Sequence, residues 1–457
     1  METPENIFRA YDIRGVFGKG LTEEIARKVG LAFGTIIDDE VVVGRDTRVS
    51  GPVLRDAITS GLTSTGCDVI DIGVVPSPLT RFYVAYHKKQ GGIMITGSHN
   101  PAEYNGFYLI GKNGFPLETG TKLMTSTERV KKIFYSGRYK KPEGPGKIKL
   151  DNTILDDYNK FILGHLKIEK GLNVILDTCN GPAGIVAPKL FEAVGCKVKV
   201  INEKLDGTFP GHKPEPRPEN LTELAKTVKK ENADIGIAYD GDADRAAFVD
   251  EKGRILEGEI PIIIFCKGIL SEKKGSPIVY DIRCSELVSD YVKKFGGVPC
   301  VSKAGIFFII NKLVELNAPY GGESSAHHYF GDWYYGFDDA ILAGLKMVEF
   351  LSKWDMSLSQ VADTITLHPK AHDVNFPCPD EKKLEVIARI KKQFEKMGCK
   401  IIDIDGVKAV FDDGWVLIRS SNTEPLIRVG AVAKTIKRLD SLLELAKTMV
   451  EKEIDSL

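Results

Sequence analysis

Short apolar runs punctuate the chain: Val41 to Val43, Val69 to Ile72, Ile93 to Ile95, Val174 to Leu176 and Ile235 to Ala238. Amphipathic stretches lie between them, and in one of these Leu54, Ile58 and Leu62 recur at helical spacing. The alternation predicts an α/β protein whose helices cover mostly parallel or mixed sheets. Residues 137–151, polar and rich in Gly, Pro and Lys, read as a linker. Residues 206–220 (DGTFPGHKPEPRPEN) hold too many prolines for regular structure and read as an ordered surface loop or crossover before a helix from Leu221 to Lys230. The pattern restarts after Gly258. A proline-bearing connector from Leu367 to Asp380 then leads to a closing βα-like unit that ends in the helix Ile436 to Lys452. The expected domains are 1–150, 151–255, 256–368 and 369–457, all of ordinary domain size. The first three repeat a theme of strand, polar loop and helix. The last is patterned differently and reads as α+β.

Charge and cysteine content narrow the class. The 457 residues carry a formal net charge of -1 with no long block of one sign, which argues against nucleic acid as the main partner. The opening METPENIFRAYDIRG lacks the basic stretch and apolar run of a signal peptide, and no apolar stretch approaches a membrane span. A cytoplasmic protein without a membrane partner is expected. The eight cysteines form no CxxC pair and read as mostly buried thiols.

Four loops carry candidate chemistry. The run Gly91 to Ile95 ends in Thr96-Gly97-Ser98-His99-Asn100-Pro101, which sets a serine, expected to be exposed, beside backbone N–H groups suited to an anion. The same string also suits a Ser turn that only closes the strand, and it is not the GxSxG elbow of hydrolases. The run Asp234 to Tyr239 delivers Asp240-Gly241-Asp242-Ala243-Asp244-Arg245. Three carboxylates so close repel one another unless a cation sits among them, and hard oxygen ligands suit magnesium or calcium. An EF-hand is excluded because Arg245 holds the position that needs glycine and the flanks read as strands. Gly321-Gly322-Glu323-Ser324-Ser325-Ala326-His327-His328 suits sugar hydroxyls, or is a polar loop with surface histidines; no third partner completes a zinc set. Finally, the strand Trp415 to Ile418 leads into Arg419-Ser420-Ser421-Asn422-Thr423-Glu424-Pro425, with Arg428 beyond. This is either a phosphate-binding loop or a capped turn with ordinary surface arginines.

Together with FRAYDIRG (Phe8 to Gly15), GRDTR (Gly44 to Arg48) and DGTFPGHKPEP, these loops in this order resemble the α-D-phosphohexomutase family, which includes phosphomannomutases and phosphoglucomutases. The resemblance spans essentially the whole chain. It implies three similar mixed-sheet α/β domains and a C-terminal α+β domain like the TATA-binding protein, around a central cleft. It implies that Ser98 carries a phosphoryl group as phosphoserine and joins Asp240, Asp242 and Asp244 around Mg2+. It further implies that Arg14 and His99 line the reacting end and that Arg245 lies beside the metal. Glu323 and Ser325 would hold sugar hydroxyls, and Arg419, Ser421, Asn422, Thr423 and Arg428 the phosphate that is not transferred. The implied reaction interconverts hexose 6- and 1-phosphates through a hexose 1,6-bisphosphate, which also serves as activator. GGESSAHHYF favours mannose, with glucose next. The partner is then a small phosphosugar, and a homo-oligomer stays open.

Two departures stand out. Where many members have a lysine after the serine loop, this chain has Tyr108, so His327, Arg14 and Lys112 become candidates for the acid/base, and 304–311 likewise lacks a lysine that some relatives have. Phosphoglucosamine mutase and phosphopentomutase are alternatives within the family. A metal-dependent phosphosugar phosphatase and a non-catalytic sugar-phosphate-binding protein are the alternatives outside it.

Overall fold

The apolar runs pair into four sheets in a computed structural model that describes residues 7–8, 12–37, 39–116, 126–421 and 425–456. The first sheet is mixed: Val41–Arg45 at its centre is parallel to Val69–Val74 and Gly91–Ile95, while Tyr104–Ile110 runs antiparallel to Gly91–Ile95. Such central strands are covered on both faces, which is why VVV and GGIMI read as unbroken apolar runs. The second sheet centres on Asn173–Asp177 and Ile235–Tyr239, parallel to each other, with Ala246–Asp250 folding back antiparallel. The third pairs Pro277–Asp281 in parallel with Val298–Ser302 and Tyr320–Gly322. In all three, a strand runs straight into one of the candidate loops.

Two connectors differ from their expected character. The 137–151 linker contains the strand Ile148–Leu150, parallel to Val69–Val74; three exposed residues are too few to show a periodicity. The 367–380 connector contains the strand Lys370–Pro377, antiparallel to Leu426–Ala433. Its prolines are tolerated because it is an edge strand. The last unit is therefore a five-stranded antiparallel sheet, not a βα unit, and the helices Asp380–Lys396 and Ile436–Asp455 cover one of its faces.

Packing divides the chain unequally. One core cluster runs through the first three sheets, joined where Phe82 meets Tyr158 edge-on at 5.2 Å and stacks near Tyr334 at 6.4 Å. Helices buried on all sides, Ile260–Glu272 and Ala340–Lys353, run inside this mass, as their apolar composition requires. The last sheet has its own core, with Val416 and Ile418 under its helices. Alternation sends Trp415 and Leu417 to the opposite face, where with Val432 they meet Ile282 of the third sheet. Six of the eight cysteines are buried, and all are free thiols. Among the described residues, no helix is long and apolar enough to cross a membrane.

Candidate active site

Ser98 takes a left-handed backbone conformation, φ 45°, just past its strand. Ala243 at φ 63° and Ala326 at φ 71° do the same in the aspartate and glutamate loops. Non-glycine residues are held in that region only where surrounding structure over-determines them, and such residues cluster at functional sites. Around Ser98 the determinants are visible. Arg48, fully buried, donates Nη2 to the carbonyls of Ser98 at 2.7 Å and Asn100 at 2.6 Å, and Nη1 to that of Tyr104 at 2.8 Å. Its Nε reaches Asp46 Oδ2 at 3.1 Å. A Cβ on Gly97 would fall 2.5 Å from Arg48 Cζ, so only glycine fits there. Ser98 itself is 4% exposed rather than open to solvent, because the aspartate loop closes over it: a Cβ on Gly241 would lie 2.6 Å from the Ser98 carbonyl.

The aspartates converge on that serine. Ser98 Oγ donates to Asp240 Oδ2 at 3.2 Å and lies 3.2 Å from His99 Nδ1. Thr96 Oγ1 lies 2.8 Å from both Asp46 Oδ2 and Asp242 Oδ2, tying the first loop to the second. Asp240 Oδ1 accepts the N–H groups of Asp244 and Arg245 at 3.1 and 3.2 Å, which shapes its own turn. One carboxylate oxygen from each of Asp240, Asp242 and Asp244 lies within 4.8 Å of the other two, and Asp242 Oδ1 and Asp244 Oδ1 are buried without a hydrogen-bond partner. Burial and then its acidic neighbours Asp244 and Asp46 push Asp242 up to about 8, and burial and the other two aspartates likewise raise Asp240. A divalent cation would satisfy both the orphaned oxygens and the mutual repulsion, so this donor set fits Mg2+.

The glutamate loop meets the aspartate loop at His327. Its Nδ1 lies 3.1 Å from Ser325 Oγ and 3.3 Å from Glu323 Oε2, and its Nε2 lies 3.3 Å from Arg245 Nε and 3.6 Å from Asp244 Oδ1. Burial and Arg245 work to depress His327, but Asp244 and Glu323 outweigh them and push it up to about 9. A cation on Asp244 would weaken that pull. His99 is held well below its ordinary value by the Arg245 charge, by burial and by Arg14, so it is neutral near pH 7. Arg14 Nη1 donates to Asn100 Oδ1 at 2.6 Å and Nη2 pairs with Asp12 at 2.7 Å. His328 is buried against Tyr320, whose Oη is 2.8 Å from Nδ1, and is not part of the site.

Ser98, His99, the three aspartates, Arg245, Glu323, Ser325 and His327 thus form one continuous cluster, with Arg14 at its edge. Tyr108 is half-buried with its hydroxyl oxygen inside: Arg81 lies over its ring at 4.4 Å and is ion-paired with Asp338 of the third domain. Lys112 is exposed on the short helix Lys112–Gly114. Arg419 and Arg428 stand directly opposite each other in the last sheet, with Arg419 on the face that carries Trp415 and Leu417. Asp405, whose carboxyl burial pushes up, lies within the fields of Arg419 and Arg283, so this face looks toward the third sheet's loops. Ser421 is buried at the strand's end, and Asn422 and Thr423 lie outside the described residues. The sequence reading missed Asp46, Arg48, Thr96 and Arg283. GRDTR carried the signal for two of them, since a charged pair directly after a buried strand has to find partners.

Family models match residues 5–133, 156–253 and 257–367 as phosphoglucomutase/phosphomannomutase alpha/beta/alpha domains I, II and III, and 374–446 as the C-terminal domain. The chain is 36% identical to a phosphoglucomutase/phosphomannomutase of Thermococcus kodakarensis, covering 98% of this chain and 99% of the relative. It is 35% identical to a "Probable phosphoglucosamine mutase" of Methanopyrus kandleri, covering 97% and 98%. A crystal structure of a family protein from Burkholderia thailandensis matches with a TM-score of 0.90 at 32% identity, covering 99% of this chain and 98% of that one.

Proposed function

The chain belongs to the phosphoglucomutase/phosphomannomutase family, and on that premise we propose that it interconverts hexose 6-phosphate and hexose 1-phosphate through phosphorylated Ser98 and a hexose 1,6-bisphosphate. The observation that carries this reading is Ser98 Oγ, 3.2 Å from Asp240 Oδ2, on a buried loop whose carbonyls Arg48 holds. A serine fixed this way against three carboxylates has little use in binding alone.

In this reading Asp240, Asp242, Asp244 and the Ser98 oxygen hold Mg2+, which supplies charge neutralisation for a phosphoryl group in transit. Arg14, Arg245 and neutral His99 line the reacting end and hold the transferring oxygens, so that catalysis rests on positioning and fixed charge. Glu323 and Ser325 grip sugar hydroxyls. We assign proton transfer at the sugar oxygen to His327, which sits between sugar loop and metal loop, whereas the Tyr108 ring is covered by Arg81, with burial pushing its hydroxyl up, and Lys112 lies outside the cluster. Arg419, Ser421, Asn422, Thr423 and Arg428 hold the phosphate that stays. After the first transfer the bisphosphate turns over, the other end faces Ser98, and the serine recovers its phosphoryl group. The four loops belong to domains 1–150, 151–255, 256–368 and 369–457. Mannose phosphate is the preferred substrate with glucose phosphate next, and the protein works in the cytoplasm with hexose 1,6-bisphosphate as activator.

The test is a coupled assay over mannose, glucose, glucosamine and ribose 1-phosphates, with Ser98→Ala as control and intact-mass measurement of both proteins. Turnover of the parent without release of inorganic phosphate, and one phosphate that the variant lacks, are expected. Phosphate release in place of isomerisation would make the protein a phosphatase.

A further inference from the structure

The patch that joins the last sheet to the third holds more than apolar contacts. Lys408, 4% exposed, donates Nζ to the carbonyls of Cys284 at 2.9 Å and Ile282 at 3.3 Å. It lies 4.1 Å from the centroid of the Trp415 ring and 3.3 Å from Glu286. The residue between those two carbonyls is Arg283, whose side chain goes the other way, into the site. Its Nε donates to Asp281 Oδ1 at 2.8 Å, and its Nη2 reaches Asp281 Oδ2 at 3.0 Å, Glu323 Oε1 at 3.2 Å and Ser325 Oγ at 3.3 Å. One short turn is thus gripped from outside by the last sheet and from inside touches both residues assigned to the sugar.

Burying an ammonium is costly, and the carbonyls of a surface turn could be satisfied by water instead. Here the ammonium fixes the turn to another sheet. Lys408 stands opposite Leu417 in its ladder, and Arg419 follows two positions along that strand on the same face. A sheet is stiff across paired strands, so the group that fixes the turn and the arginine assigned to the phosphate move together.

We propose that Lys408 is a positioning residue: through the 282–284 turn and Arg283 it sets Glu323 and Ser325, so that the grip on the sugar is aligned only while the last sheet is docked. The inference rests on the proposed role of Glu323 and Ser325 in sugar binding. It gives the protein a way to couple its hold on phosphate to its hold on the sugar ring.

The test is a double-mutant cycle on the full chain, combining Lys408→Met with Glu323→Gln and measuring kcat and KM for mannose and glucose 1-phosphates. We expect Lys408→Met alone to raise KM about tenfold, to add less than about twofold in the Glu323→Gln background, and to be largely rescued by Lys408→Arg, since residues acting in one network are non-additive. Equal effects in both backgrounds would overturn the proposal and leave Lys408 as glue between sheets. If Lys408→Met does not fold, Trp415→Phe enters the same cycle with the same two outcomes. An inactive parent would sink the mutase reading and not this one; the cycle then runs on calorimetric affinity for mannose 6-phosphate, where additivity again decides.

Discussion

Arg48 donates to the backbone carbonyl of Ser98 at 2.7 Å, so the candidate nucleophile is located by an arginine on a different loop, after a different strand. The same guanidinium pairs with Asp46 and lies 5.0 Å from the centroid of the Phe209 ring, in the proline-rich loop of the second domain. It therefore ties the serine, its own loop and the neighbouring domain into one unit.

Removing it should be felt twice. Arg48→Met leaves Asp46 a buried charge without its partner and strands several carbonyls, at a cost of about 3 to 5 kcal/mol. Urea unfolding should show this loss, and the folded fraction should turn over far more slowly than the parent. A normal unfolding midpoint would mean that water replaces the guanidinium and that the loop holds its own shape.

Chelation of the metal, or Asp242→Asn, should reduce kcat by about a hundredfold or more while changing KM little, because the cation acts on charge in transit. Steady-state kinetics with and without added Mg2+ separate the two parameters. An effect confined to KM would make the metal part of substrate binding.

Arg419→Lys keeps a charge but loses the forked pair of donors, so affinity for hexose monophosphates should fall by about 1 to 3 kcal/mol. The larger effect should be on processivity: a bisphosphate that must be released, turned and regripped has more time to leave. The variant should shed hexose 1,6-bisphosphate into the medium, detectable by anion-exchange chromatography, and should depend on added bisphosphate. Unchanged affinity without leakage would remove Arg419 from the phosphate grip.

His212, in the proline-rich loop, lies with Nε2 3.1 Å from Asp177 Oδ2 and Nδ1 3.9 Å from Cys179 Sγ. Burial opposes its charge, but the hydrogen bond to Asp177 and the contact with Cys179 raise it to about 11 from an ordinary value of 6.5. A raised folded pKa means that the protonated ring stabilises the fold fully below pH 6.5 and that this contribution is lost as pH rises toward 11. The difference in unfolding free energy between parent and His212→Gln should therefore shrink steadily from neutral to alkaline pH. A difference that stays constant would show the ring to be neutral in the fold.

What could be read from the residues was whatever is local. The serine, aspartate and glutamate loops each announce themselves by a few adjacent residues after an apolar strand, and the structure joins them into one cluster. Arg48, Thr96 and Arg283 stayed hidden because their partners lie on other loops or in other domains. Ser98 looked exposed for the same reason: it is covered by Gly241 and its neighbours, from the second domain. The strand Lys370–Pro377 was masked by prolines that matter little at a sheet's edge.

The division of the interior also governs how the molecule comes apart. The first three domains share one continuous core, and the further clusters around Val41 and Val43 in the first and Ile175 in the second lie on the same sheets, so the three should unfold in a single cooperative step, whereas the last domain meets the rest only through a small patch around Ile282 and Trp415. Heating should then give two calorimetric transitions rather than one, the smaller belonging to the C-terminal sheet. Between them lies a state with serine and aspartates intact and the proposed phosphate grip melted. If Ser98 carries a phosphoryl group as proposed, such a state keeps it while being unable to hold a sugar long enough to use it, so activity should vanish at a lower temperature than the phosphoprotein itself.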